Sequence, residues 1–414
     1  MMRTSSTKNK FPLVRFDWIV LAVIVAIIAI GLLNLRNVDF YHPRFQLLHQ
    51  AQLKWYLLGM VAAVMVTFVD IHLFMRLAYP LYGLGVVLLV LVLFADPINN
   101  SRRWLPIFGE VIQPSEFMKL GIVLALARYL HDERHEHGQT DRHSLRTLVW
   151  PMLIMFAPVI LIFAEPDLGT AIIVTLIGFS MIFYEGVRWR SILTGLGIVA
   201  LMFPLAWKFA LHDYQKARVL VWWAPESLEK KVEVLKEQEG ALLRAERDEQ
   251  SVQPEQLERI QEEHRKLTRI LGKAYQPRQA KKAIGSGGFY GKGGQQAVQQ
   301  RQGALPELHT DFVIATWGEE RGFIGASLLL LLYYLLVYWL LRVTKIGRNR
   351  FEALLAIGIS ATVFWQFFVN VGMVTGILPV VGVALPLLSY GGSSVVSTCI
   401  GLGLMYNIVI HRRS

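Results

Sequence analysis

Ten long apolar runs set the limits on what this chain can become. They fall roughly at residues 17–34, 53–70, 73–95, 115–131, 146–164, 168–185, 191–211, 311–342, 351–376 and 385–410. A bilayer core is about 30 Å thick, so a helix crossing it needs roughly 20 mostly apolar residues. The expected fold is therefore all-α: a polytopic membrane protein with about ten transmembrane helices. Composition agrees, because 54% of the residues are hydrophobic and only 18% are charged, too few charges to cover a soluble surface of this size. The net charge of +11 does not point to nucleic acid. The basic residues sit in short loops between apolar runs, where the positive-inside rule puts them.

The single cysteine, Cys399, lies in the last apolar run, which excludes an intrachain disulfide and a cysteine-based metal site. The N-terminus has a basic stretch with Arg3, Lys8 and Lys10, then an apolar run from about Trp18 to Leu33. That looks a little like a signal peptide. The run is long, however, and the segment Gly31–Arg36 offers no small-x-small cleavage site, so an uncleaved first span is expected.

Orientation follows from Lys and Arg. The N-terminus and the loops after even-numbered spans hold most of them, Arg76, Arg134, Arg188 and Arg342 among others; the short loops opposite hold Arg36, Arg44, Arg102 and Arg103. Both termini are expected in the cytoplasm, and loops 96–114, 165–167, 212–310 and 377–384 on the outer side. The chain thus divides into helices one to seven (1–211), a large extracytoplasmic loop (212–310) and helices eight to ten (311–414). In the loop, Leu228, Val232, Leu235 and Leu242 recur at helical spacing, as do Leu257, Ile260, Leu267 and Ile270. With Pro254 suited to a first helical turn, residues 226–272 are expected to form a helical hairpin. Residues 281–310 are glycine-rich and basic.

Several outward polar groups are candidates for chemistry. Asp311, after a plausible N-cap at Thr310, is expected early in the eighth span. There it either complements the helix dipole or accepts a proton as a general base. Gln113-Pro114-Ser115-Glu116 opens the fourth span, with proline suited to its first turn. Glu116 and Lys119 share a helix face and are expected to pair; charges at membrane depth usually face a cavity or partner. Arg103 can hold a pyrophosphate bidentately, and Trp104 suits the aromatic belt. The run Ile284–Gly294, with Lys281, Lys282 and Lys292, either cradles phosphate on its N–H groups or is a flexible loop, the safer reading. It lacks the register of a nucleotide-binding loop. Glu165-Pro166-Asp167-Leu168-Gly169-Thr170 and Pro386-Leu387-Leu388-Ser389-Tyr390-Gly391-Gly392-Ser393-Ser394 border the fifth–sixth and ninth–tenth junctions; in the second, small residues permit close helix packing.

Together, and in this order, these motifs resemble the SEDS family of shape, elongation, division and sporulation proteins, the RodA/FtsW group. The matches run from Arg103-Trp104 through Ala283-Ile284-Gly285-Ser286-Gly287-Gly288 and Leu305-Pro306-Glu307 to His309-Thr310-Asp311-Phe312, and cover nearly the whole chain except 226–272. Gly291-Lys292-Gly293 and the short N-terminal tail look RodA-like. The resemblance implies an inverting peptidoglycan glycosyltransferase that polymerises lipid II on the outer face of the bacterial inner membrane, with undecaprenyl pyrophosphate leaving. It implies Asp311 as base, with Glu116 and Lys119 as functional residues of the fourth span. Arg103, Lys119 and Arg218 are candidates for the leaving pyrophosphate, and Trp104, Lys292 and His309 join them as substrate-binding candidates. A divalent cation (Mg2+ or Mn2+) is a possible helper, although the sequence shows no clean all-protein metal site. The implied partners are a class B penicillin-binding protein and the elongation machinery. A lipid II flippase and a scaffold for a penicillin-binding protein are the rival classes. The hairpin at 226–272 is longer than the resemblance leads one to expect, and Leu308 with Gly303-Ala304 are milder departures.

Overall fold

The computed structural model describes residues 17–41, 47–97, 101–107, 109–137, 148–187, 213–247, 254–272, 275–293 and 309–411, with a few isolated residues besides. Its helices are α1 (Trp18–Tyr41), α2 (Leu48–Phe68), α3 (Ile71–Leu93), α4 (Pro114–His137), α5 (Val149–Ala164), α6 (Leu168–Glu185), α7 (Asp213–Trp223), α8 (Pro225–Arg247), α9 (Pro254–Gly272), α10 (Tyr275–Ser286), α11 (Val313–Val343), α12 (Arg350–Thr375) and α13 (Gly392–Ile410). Nine of the ten expected spans coincide with α1–α6 and α11–α13. The seventh, 191–211, lies mostly outside the described residues. Seven of these helices are long and apolar enough to cross a membrane, and Val149–Ala164 is a shorter apolar helix. Their large apolar side chains stand open in rows: on α2, Leu57, Met60, Val61, Val64 and Met65 are all exposed. A water-soluble surface rarely carries so wide an apolar patch, whereas acyl chains favour it. The chain is a multi-pass membrane protein.

Two compact units divide the chain. The larger comprises Met1–Ser191, Ser327–Phe368 and Val383–Ser414, and the smaller Ile192–Ala326 and Val369–Gly382. In the larger unit α13 packs along α2. Small residues bring the two backbones together: a Cβ on Gly403 would stand 2.5 Å from the Ala63 carbonyl. Asn407 closes the lower end by donating to the carbonyls of Val66 and Thr67, both at 3.0 Å, and of Val69 at 2.6 Å. Those carbonyls are orphaned at the end of α2 and need donors. Tyr56 and Tyr333 donate to the carbonyls of Leu387 and Pro386 at 2.6 and 2.5 Å. They pin the irregular stretch before α13, so the tenth helix starts at Gly392 rather than near 385.

An addition to the all-α expectation lies in the loop after α3. Strands β1 (Leu105–Ile107) and β2 (Glu110–Ile112) form an antiparallel hairpin, with Leu105 opposite Ile112 and a turn through Gly109 at φ +82°. It delivers the chain directly to Pro114 at the start of α4.

In the smaller unit α8 and α9 pack on each other. Leu235 is buried in their seam; Leu228, Val232, Leu257, Ile260 and Leu267 are half-buried. Glu239 accepts from His264 at 2.6 Å and Lys231 pairs with Glu263 at 2.8 Å across the pair. The glycine-rich segment after α10 is not a loose loop. Lys292 N donates to the Glu319 carbonyl and Gly293 N to that of Glu320, each at 3.0 Å. Phe323 N and Ile324 N return bonds to the carbonyls of Gly288 and Phe289 at 2.9 and 3.2 Å. These bonds replace the helix ladder where Gly322, at φ +64° and ψ −160°, kinks α11.

Candidate functional site

The start of α4 shows how local sequence places a polar cluster. Pro114 takes the first helical position, where its missing N–H costs nothing. Glu116 and Lys119 then point from one face, and Lys119 Nζ meets Glu116 Oε2 at 2.7 Å with both side chains buried. This is the pair that the three-residue spacing predicts. The two line a small cavity of the larger unit with Thr362, Ser397 and Thr398. In front of the helix, Gln113 N donates to Ser393 Oγ at 2.9 Å, and Gln113 Nε2 donates to Ser115 Oγ at 3.0 Å and to Asp167 Oδ2 at 2.8 Å. Three motifs distant in sequence are thereby brought to one place.

Asp167 caps α6, accepting from Thr170 N at 3.2 Å and Thr170 Oγ1 at 2.9 Å. Arg103 donates from Nε to Ser101 Oγ at 2.5 Å, and its Nη1 lies 4.0 Å from Asp167 Oδ1. Trp104 beside it is half-buried. Glu165, between α5 and α6, is wholly buried, and among the described residues neither carboxylate oxygen has a hydrogen-bond partner. Burial pushes its carboxyl up to about 8; Asp167 adds to the rise and Arg103 opposes it. Glu165 opens the fifth–sixth junction motif, but nothing in the sequence marks it as buried, because a carboxylate between two spans reads as part of a solvated turn.

In the smaller unit Asp311 lies in a turn, and α11 begins two residues later at Val313. The first helical carbonyl in use is that of Phe312, which accepts from Ala315 N at 2.9 Å. This corrects the expected position. Thr310 is not the N-cap, and Asp311 precedes the helix rather than lying in it. Its main chain is held by Asn370 Nδ2, which donates to the Asp311 carbonyl at 3.0 Å. Its carboxylate stands beside Gly382, where a Cβ would come within 3.2 Å of Oδ2. His309, half-buried, belongs to the same turn. Asn370 carried no sequence signal, since a lone amide in an apolar run fits packing equally well. Arg218 of α7 lines a cavity with Gly376 and Leu378, from the segment that follows α12. Lys292 takes part through its main chain. Its N–H and that of Gly293 are used on α11 carbonyls, so those two donors form no phosphate cradle. Leu305, Pro306, Glu307 and Leu308 lie outside the described residues.

This arrangement matches known proteins along its length. The FtsW/RodA/SpoVE family of cell cycle proteins matches residues 12–231 and 249–414. The chain belongs to that family. It is 34% identical over 357 residues to the peptidoglycan glycosyltransferase MrdB of Escherichia coli strain K12, covering 86% of this chain and 84% of that one. Among solved structures, it resembles a chain of a peptidoglycan synthase complex that coordinates polymerization and crosslinking. The TM-score there is 0.71, with 29% identity over 95% of this chain and 97% of the other. The rod shape determining protein RodA of Thermus thermophilus matches at a TM-score of 0.62 and 28% identity, over 96% and 98% of the two chains. The family match breaks at 232–248, which takes in most of α8.

Proposed function

We propose that this chain is an inverting peptidoglycan glycosyltransferase that polymerises lipid II into glycan strands during cell elongation. The observation that carries the reading is Asp311, held by Asn370 through its main chain, with its carboxylate beside Gly382 at the entry to α11. The acceptor's GlcNAc 4-hydroxyl attacks C1 of the donor's MurNAc. Asp311 takes the hydroxyl proton as the new C1–O bond forms. The bond from C1 to the pyrophosphate oxygen breaks on the opposite face, and undecaprenyl pyrophosphate leaves with the electron pair. Attack opposite the leaving group inverts C1.

Substrate-binding roles are proposed for Arg103, Trp104, Glu116, Lys119, Arg218, Lys292 and His309. Arg103 and Arg218 offer planar donor pairs to phosphate oxygens. Lys119 is held in place by Glu116, which fixes where its charge acts. A divalent cation, Mg2+ or Mn2+, remains part of the proposal as a companion of the pyrophosphate. Among the described residues no three His, Cys, Asp or Glu side chains come together to hold one, so no step is assigned to it. The site is proposed to open on the outer face of the bacterial inner membrane, with both termini cytoplasmic. The proposed partner is a class B penicillin-binding protein of the elongation machinery. The likeness to a synthase that coordinates polymerization with crosslinking supports it.

The test is polymerisation of lipid II by the purified protein, with and without that partner. Asp311→Asn is expected to lower the rate by about 10²–10⁴-fold while leaving membrane insertion unchanged. Near-wild-type turnover by folded Asp311→Asn would sink the assignment. A wild-type protein that translocates lipid II without joining it would return the flippase reading.

A further inference from the structure

In the smaller unit, α7, α10 and the segment after α12 enclose a cavity of about 120 Å³. Its walls are of two kinds. Arg218 from α7, with Arg278 and Lys281 from α10, brings three cationic side chains to it, and no acidic residue lines it. Val221, Trp222, Leu378 and Val380 make the remainder largely apolar. One hydrogen bond joins two of its walls. Trp222 Nε1 donates to the Gly376 carbonyl at 3.1 Å, joining α7 to the segment after α12. Gly376 has φ +78°, and a Cβ there would stand 2.3 Å from Lys281 Nζ, so only glycine lets the ammonium lie against that backbone. Arg278 also pairs with Glu229 of α8 at the surface. Among the described residues Lys281 pairs with no carboxylate.

Guanidinium and ammonium groups that converge on one cavity favour phosphate oxygens. The cavity volume is enough for a phosphate or pyrophosphate group. Trp223 and Ile377, 78% and 67% exposed, come from the two elements that form the walls. An exposed tryptophan beside basic groups suits the depth of lipid headgroups. We propose that this cavity binds the phosphate of a membrane-lipid headgroup through Arg218, Arg278 and Lys281. The proposal rests on the outward placement of residues 212–310 given above. It adds to that reading a site to which Arg278 and Lys281 contribute. The loop forming one wall ends at Gly382, beside the Asp311 carboxylate, so an occupant would steady the backbone that backs the proposed base.

Two lipids carry this chemistry, an anionic phospholipid and the lipid-linked substrate with its pyrophosphate. Purified full-length protein in a neutral detergent is titrated with dioctanoyl phosphatidylglycerol, dioctanoyl phosphatidylcholine and inorganic pyrophosphate, with binding followed by calorimetry. The variants are Arg278→Gln/Lys281→Gln, and Lys282→Gln on the same helix, exposed and outside the cavity lining. Losing two charge-assisted contacts is expected to weaken binding at least about tenfold. Lys282→Gln is expected to bind like wild type. Weakening toward phosphatidylglycerol identifies a phospholipid site; weakening toward pyrophosphate alone identifies the substrate's diphosphate. Unchanged affinity of the double variant for both anionic probes overturns the proposal. Matching thermal unfolding of the double variant and wild type separates lost binding from lost folding. No turnover enters the measurement, so the failure of Asp311 as a base and the failure of this site are read independently.

Discussion

Glu116 and Lys119 are each tolerable only because the other is present. A buried charge whose partner is removed typically costs about 3–5 kcal/mol, whereas replacing both with apolar or neutral groups is often neutral. Lys119→Met should therefore lower thermal stability in detergent more than the double variant Glu116→Gln/Lys119→Met. A double variant as unstable as Lys119→Met would mean that Glu116 is satisfied elsewhere. This pair was legible in the sequence, because three-residue spacing on a helix leaves few geometries open. Glu165 was not legible, since nothing in Glu165-Pro166-Asp167 says that the first carboxylate is buried and the second caps a helix. Its consequence is a pH dependence. In the unfolded chain the group titrates near 4.5, and in the fold burial holds it near about 8. Between those values the folded state retains a proton that the unfolded state has released, so stability falls as pH rises through that window and levels off above it. Unfolding temperatures across the window should decline more steeply for wild type than for Glu165→Gln, which has nothing to ionise. Parallel slopes would show that other groups govern the decline.

The joint between the glycine-rich segment and α11 belongs to the scale of elements. In Val313–Val343 the apolar pattern is interrupted at Gly318-Glu319-Glu320-Arg321-Gly322, but that interruption alone does not say that the helix kinks at Gly322, and a run of glycines reads by composition as flexible. Both readings look only at neighbours in sequence. The bonds that decide the matter join residues 288–293 to 319–324, and such pairing is invisible to local periodicity. Helix existence was legible because it depends on local hydrophobic runs. The cap at Phe312 and the strap across the kink were not, because they depend on which distant donors arrive. The joint is also easy to break. Gly291 sits at φ +86°, and a Cβ there would stand 2.1 Å from the Glu320 carbonyl oxygen. Gly291→Ala must shift the strap or the helix, at a cost of about 1–3 kcal/mol for the backbone conformation alone. Gly285, six residues earlier, has ordinary φ and open space around its Cα. Gly285→Ala should therefore leave the unfolding temperature near that of wild type while Gly291→Ala lowers it. Equal temperatures would mean that the strap adds little to the stability of the unit.

At the scale of the whole molecule, the hairpin α8–α9 stands apart from the rest. The family match skips 232–248, a stretch that takes in most of α8. Sequence periodicity located both helices and their apolar seam, because the seam repeats every three or four residues. It did not locate the unit to which they belong, which also takes in Val369–Gly382 from beyond the next span. Asp311, Arg103, Glu116 and Lys119 all lie outside the hairpin. Replacing residues 226–272 with a short Gly/Ser linker should therefore spare basal polymerisation of lipid II. The linker has only to join the region after Trp223 to the start of α10 at Tyr275, and closing a short flexible loop costs little beyond a few tenths of a kcal/mol for each modest change in length. The replacement removes Glu229 and so the surface pair with Arg278, but pairs this exposed contribute no more than about 1 kcal/mol. It also removes the mixed-charge outer faces of both helices, which make the hairpin a natural docking surface. Stimulation by a penicillin-binding protein partner is therefore expected to fall while the basal rate holds. Two rates measured on the replacement variant, with and without partner, decide the matter. Loss of the basal rate in a protein that still unfolds cooperatively would mean that the hairpin helps build the catalytic site.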